Sequence, residues 1–170
     1  MTNPLDEHMK AFHTAMAAIK VARRVLDQRP NPVSNTGLHG LTVKEGHEML
    51  DQAEGQLDKL VAFALFAAFK RTLRDYLSDN LDPIGANATT PQELGAKLHE
   101  FLRNGVDHWR LDDVIELYAP PVPDHDVSNA KNIRTYRNRV AHGTAPPNAI
   151  PPLTAYTQLT SFLKEAGFVT

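Results

Sequence analysis

Cysteine is absent from the 170 residues, so the chain has no disulfide framework, no thiolate metal ligand and no thiol nucleophile. No apolar run approaches the ~20 residues that a membrane-spanning helix needs. The opening stretch, Met-Thr-Asn-Pro-Leu-Asp-Glu, lacks the basic and apolar regions of a secretory signal. A cytoplasmic protein with no membrane partner is the expectation. Excess positive charge is missing too. The formal net charge is −2, which argues against a general coat for nucleic acid and requires any such contact to be local. Sustained apolar/polar alternation and Asn-Gly or Asp-Gly turns between apolar strands are both lacking, so no β-structure is expected. Internal repeats, low-complexity segments, a Gly-rich phosphate loop, a Ser–His–Asp signature and a His-Glu-x-x-His motif are all missing. His8 and His13 are five apart, off the spacing that puts two side chains on one helix face. His39 and His47 flank a glycine-bearing turn. Neither a metal nor another cofactor is expected.

Helical periodicity is what the chain does have. Asn3-Pro4 reads as an N-cap followed by proline at the first helical position. Leu5, Met9, Phe12, Met16, Ile19 and Leu26 then recur at three- and four-residue steps or their sums, predicting a helix to about Gln28. Arg23 stands in that apolar stripe, either as a snorkelling stem or, with Arg24, as a phosphate holder. The stretch from Arg29 to Gly40 is a loop by composition. Thr42-Val-Lys-Glu45 is a capping box and opens a long helix that should run towards Ser78. Between Val61 and Phe69 it is apolar all round and predicts a buried spine. Lys70, Arg71 and Arg74 follow at once, a charge run that makes a solvated face or extends a phosphate track.

Asp79 to Thr89 reads as a loop, and Thr90-Pro-Gln-Glu93 as a second capping box. Leu94, Leu98, Phe101 and Leu102 give that helix its stripe, and Asn104-Gly105 should end it. A short helix around Leu111 to Tyr118 is stopped by Pro120-Pro121-Val122-Pro123. Asp124, Asp126 or Ser128 is positioned to cap the next helix, which Gly143 ends. After a proline-rich loop from Ala145 to Pro152, a last helix runs from about Leu153 to Ala166, with Gly167 as its stop. The expected fold is all-α: one domain over 1–170, an up-and-down bundle of five to six helices.

The helix before Gly143 carries the chemistry. At ~100° per residue, Ile133, Tyr136 and Val140 fall within about 60° of one another as a core-facing stripe. Arg134, Arg137, Asn138, Ala141 and His142 occupy an arc of roughly 140° on another side. Core packing does not require two guanidiniums, a carboxamide and an imidazole on one face. Phosphate does suit them: Arg offers a rigid donor fork, and His moves protons near neutral pH. Lys131, Arg134 and Arg139 add positive charge and are candidate RNA-binding residues. Arg137, Asn138 and His142 are the catalytic candidates. Tyr136 reads as core.

Arg137-Asn138-x-Val140-Ala141-His142-Gly143 resembles the Arg-x(4–6)-His signature of HEPN domains, in which a polar residue often follows the arginine. The order of helices extends the likeness loosely over most of the chain. The resemblance implies a small helical bundle acting as a metal-independent endoribonuclease in toxin–antitoxin or antiviral defence, with RNA as substrate. It implies a homodimer with the site at its interface, and an antitoxin or larger defence complex as a further partner. Arg137 would hold the scissile phosphate and stabilise its growing charge, His142 would serve as base or acid, and Asn138 would orient the imidazole or the phosphate. Product ends would be a 2′,3′-cyclic phosphate and a 5′-hydroxyl. The other class of reading is a non-catalytic module that binds a protein or nucleotide through the same face.

Two positions depart from the pattern. A subgroup of these toxins carries a modifiable Tyr two residues past the His, where this chain has Thr144, so silencing by that route is not expected. Many members place an acid in the second helix near the site, where this chain has Lys70. A second copy of the spacing, Arg103-Asn104-Gly105-Val106-Asp107-His108, is set aside because Asn-Gly should break the helix between its two ends.

Overall fold

A computed structural model describes residues 2–28, 37–86, 100, 102, 104–105, 108–144 and 148–169, with the backbone alone for 81–86. Among the described residues there are five helices and no strand: α1 (Asp6–Gln28), α2 (Val43–Ala86), α3 (Leu111–Glu116), α4 (Asp124–Ala141) and α5 (Pro152–Glu165). The fold is an all-α bundle. The loop residues 29–36 and 145–147, the capping box at Thr90–Glu93, and Leu94, Leu98, Phe101 and Arg103 lie outside the described residues.

Local signals set the helix ends. The Asn3 carboxamide oxygen accepts the Leu5 amide at 3.0 Å, and its nitrogen donates to Thr160 of α5 at 2.8 Å. One side chain thus caps α1 and ties it to the last helix. At the start of α2 the Glu45 carboxylate accepts the Thr42 amide at 2.8 Å, while the Thr42 hydroxyl accepts the Glu45 amide at 3.3 Å. Both halves of the capping box are made. Helix α4 instead starts from Pro123, with no side-chain cap. Asp124 and Asp126 fall in its first turn, and Asp126 is buried, accepting a hydrogen bond from Ser161 at 3.2 Å. A proline already extended at the N-cap leaves those acids to complement the helix dipole and to pack against α5.

One expected break is not a break. Helix α2 runs past Ser78 to Ala86, through the Asp, Asn, Pro and Gly residues that read as a loop. The Asn80 side chain donates to the Tyr76 carbonyl at 2.8 Å, and Tyr76 packs edge-on against Phe168 at 4.8 Å. The helix is anchored by rings just before this stretch, and Asn80 bonds back to the helix's own backbone. Asn104 and Gly105 are helical, and the Trp109 amide donates to the Gly105 carbonyl at 3.1 Å. A Cβ on Gly105 would lie 3.1 Å from the Trp109 indole nitrogen. Glycine serves close approach there.

Helix α2 is the spine, touching each of the other four helices. Its Val61, Leu65, Phe66, Phe69 and Leu73 are buried with Leu5 and Met9 of α1, Val114 and Ile115 of α3, Ile133 of α4, and Leu159, Phe162 and Leu163 of α5. Phe69 meets Phe162 edge-on at 5.1 Å, and the rings continue to Tyr118, 6.1 Å from Phe162, and on to Phe168. The Tyr118 hydroxyl reaches the Leu73 carbonyl at 3.1 Å, and burial holds the phenol well above its ordinary range. Helices α1 and α2 run antiparallel, with Arg23 on Asp51 at 2.6 Å and on Glu54 at 2.5 Å, and His47 on Asp27 at 2.8 Å. A stem laid along the apolar stripe with its head at the surface fits this arrangement. Two α2 carboxylates occupy its guanidinium.

Candidate functional site

Helix α4 sits on α2 with its two faces sorted much as the 100° step predicts. Ile133 and Tyr136 are buried and Val140 is half-buried. Burial, and then the Asp58 carboxylate on α2, push the Tyr136 phenol up. Tyr136 is core. Arg134, Arg137 and Asn138 are half-buried, while Ala141 and His142 are exposed.

The helix ends in a Schellman turn. The Gly143 amide donates to the Val140 carbonyl at 3.1 Å and the Thr144 amide to the Arg139 carbonyl at 2.9 Å. Gly143 has φ 68°, a left-handed conformation that disfavours any residue with a Cβ. His142 is the C-cap itself, its amide bonded to the Asn138 carbonyl at 3.0 Å. Gly143 thus fixes the backbone that presents the imidazole. Thr144 spends its hydroxyl on the Arg139 carbonyl at 2.9 Å.

Arg134, Arg137 and Asn138 open onto a groove of about 530 Å³ between α4 and α2. Phe66, Ala67 and Leu111 also line it, and its opposite wall is Lys70, Arg71, Arg74 and Asp75. The charge run on α2, read from sequence as a face or a track, lies directly across from the motif. Arg74 donates to the Trp109 carbonyl at 2.8 Å, and Arg134 is paired with Asp112 of α3 at 2.6 Å. The Arg137 guanidinium lies over the Phe63 ring, 5.0 Å from its centroid, and donates to the Asn138 side-chain oxygen at 3.1 Å. A cation–π contact and a neighbouring amide hold it with no carboxylate, among the described residues, to neutralise it. Asn138 therefore orients Arg137, whereas either the imidazole or the phosphate was expected as its partner.

The other predicted residues are spread more widely. Lys131 is ion-paired with Glu116 of α3. Arg139 is exposed, about 100° round the helix from Asn138, and does not line the groove. His142 does not line it either. Its neighbours Ala141 and Gly143 border a second hollow of about 500 Å³ with Lys59, Leu60 and Phe63, so the Arg137–Phe63 stack marks the boundary between the two. The structure brings together Arg134, Arg137 and Asn138, adds the α2 cations that sequence reading left open, and stands His142 at the helix end beyond them. His108 of the second spacing is exposed, next to Trp109, whose carbonyl Arg74 holds.

Among the described residues, no three His, Asp or Glu side chains come together as a group able to hold a metal ion, and no helix is long and apolar enough to cross a membrane. No family model, curated protein or solved structure matches the chain.

Proposed function

We propose that the chain is a metal-independent endoribonuclease of the HEPN type, working on RNA held against the polar face of α4. The observation that carries this reading is the state of Arg137: a half-buried guanidinium, fixed by Phe63 and Asn138, facing a groove with cations on both walls. A cation held in place and, among the described residues, paired with no carboxylate is suited to charge that grows on a phosphorane. The 2′-oxygen attacks phosphorus as a base takes its proton. The P–O5′ bond breaks as an acid protonates the leaving oxygen, giving a 2′,3′-cyclic phosphate and a 5′-hydroxyl. His142 supplies one of these proton transfers. A second copy of the same face, brought up by a two-fold axis, supplies the other. Exposure of His142 and of Ala141 beside it leaves room for that approach.

One observation favours the second reading, a non-catalytic module that binds RNA, nucleotide or protein through the groove. Among the described residues no side chain is bonded to the His142 imidazole to orient it. Incubation of the purified chain with RNA in excess EDTA separates the readings. Cleavage is expected to persist, because Arg137 and His142 provide cation and proton transfer within the chain. Loss of cleavage that Mg²⁺ or Mn²⁺ restores would move the chemistry away from α4. No cleavage under either condition would favour the binding module.

A further inference from the structure

We infer that Lys70 and Arg71 of α2 form a second phosphate subsite, which takes the phosphodiester next to the one held by Arg137 and Asn138. This rests on the reading of the groove as an RNA site, and it assigns to α2 a role that the motif on α4 does not imply.

The argument starts from what the five cations lining the groove are doing. Arg74 is engaged with the Trp109 carbonyl and Arg134 with Asp112, so these two brace the walls. Lys70 and Arg71 are exposed and, among the described residues, meet no carboxylate across the groove. Asp75 is the acid in the lining, against Lys70, Arg71, Arg74, Arg134 and Arg137. Such a concentration of like charge in a chain of net charge −2 repels itself and focuses the field along the groove. An anion with more than one charge relieves that repulsion. The volume of about 530 Å³ also exceeds what one phosphate fills and lies within the range of sites that take a whole small ligand.

The two walls are built differently. On α4 the guanidinium is fixed by a ring and an amide, which suits the phosphate whose geometry must be controlled. On α2 an ammonium and a guanidinium stand on flexible stems at consecutive positions, which suits a phosphate that only needs to be held. Phe66 in the floor is 4% exposed, so it presents no open ring face on which a base could stack. The α2 subsite therefore reads backbone charge and carries little sequence information.

The test measures binding with 2′-O-methyl oligonucleotides, which cannot be cut by 2′-hydroxyl attack, so binding and cleavage are read separately. Wild type, Lys70→Ala/Arg71→Ala and, as a distant exposed cation, Lys20→Ala are titrated with a short single strand over a salt series. Loss of the one phosphate held by this subsite should make the slope of log affinity against log salt shallower by about 0.7 and weaken binding about tenfold near physiological salt. Lys20→Ala should match wild type. In a second arm, a trinucleotide with two phosphates should bind wild type more tightly than a dinucleotide with one, and the double variant should lose that gain. An unchanged slope, or the same gain in the double variant, overturns the subsite, as does wild type that binds neither probe. If the subsite results hold and unmodified RNA stays intact, the inference stands and the ribonuclease reading falls. If RNA is cut in a His142-dependent way while the double variant binds like wild type, the inference alone falls.

Discussion

Replacing His142 with alanine is expected to lower RNA cleavage by about 10²–10⁴-fold, the usual contribution of one positioned acid or base. Helicity should be unchanged. His142 is an exposed C-cap, and a side chain at a helix end contributes at most ~1 kcal/mol to stability. That is too little to unfold a bundle whose core lies elsewhere, so a hundredfold loss would have to be chemical. Arg137→Ala removes the cation over Phe63 and should cost about 10²–10³-fold, on the scale of losing one preorganised donor to developing charge. The double variant should be about as impaired as the worse single one, because in the proposed mechanism both residues serve the same transition state. His108→Ala should stay near wild type. Asn104 and Gly105 are helical, and residues 106 and 107 before His108 lie outside the described residues. Position now separates the two histidines: α4 places Arg137 and Asn138 in the groove and His142 one residue past its end. An inactive His108 variant beside an active His142 variant would contradict the assignment.

Phe162→Ala is expected to destabilise the fold by about 3–5 kcal/mol, the range for deleting a buried aromatic ring. Phe162 is fully buried and holds α5 to α2 and to the turn after α3 through Phe69 at 5.1 Å and Tyr118 at 6.1 Å. Domains of this size are stable by ~5–15 kcal/mol, so the loss is a large share of the total. Chemical denaturation should show a lower midpoint at unchanged slope. The effect should also reach the groove, because Phe69 packs against Phe66 in its floor at 6.0 Å. A loss below about 1 kcal/mol would mean that the ring is not packed as described.

Thr42 and Glu45 were legible in sequence because a capping box is a local pattern completed within four residues. Gly143 and Gly167 were legible for the same reason: both have positive φ and both close Schellman turns. The buried face of α4 followed from helical periodicity, which Ile133 and Tyr136 obey. Signals with two physical meanings misled. The turn-forming residues after Ser78 continue a helix that is anchored at Tyr76 by rings distant in sequence. Arg23 kept two readings because its partners, Asp51 and Glu54, belong to another helix. The site divided along the same line. Arg134, Arg137 and Asn138 share one face by spacing alone. The opposite wall from α2, and the pairing that takes Lys131 to Glu116, depend on how helices pack, which no single segment records.

The most direct measurement is the chemistry of the RNA ends left by the purified chain in the presence of EDTA. Attack by the 2′-hydroxyl predicts 2′,3′-cyclic phosphate and 5′-hydroxyl ends, formed by wild type and not by His142→Ala. Ends carrying a 3′-hydroxyl and a 5′-phosphate, or equal cleavage by His142→Ala, would contradict it.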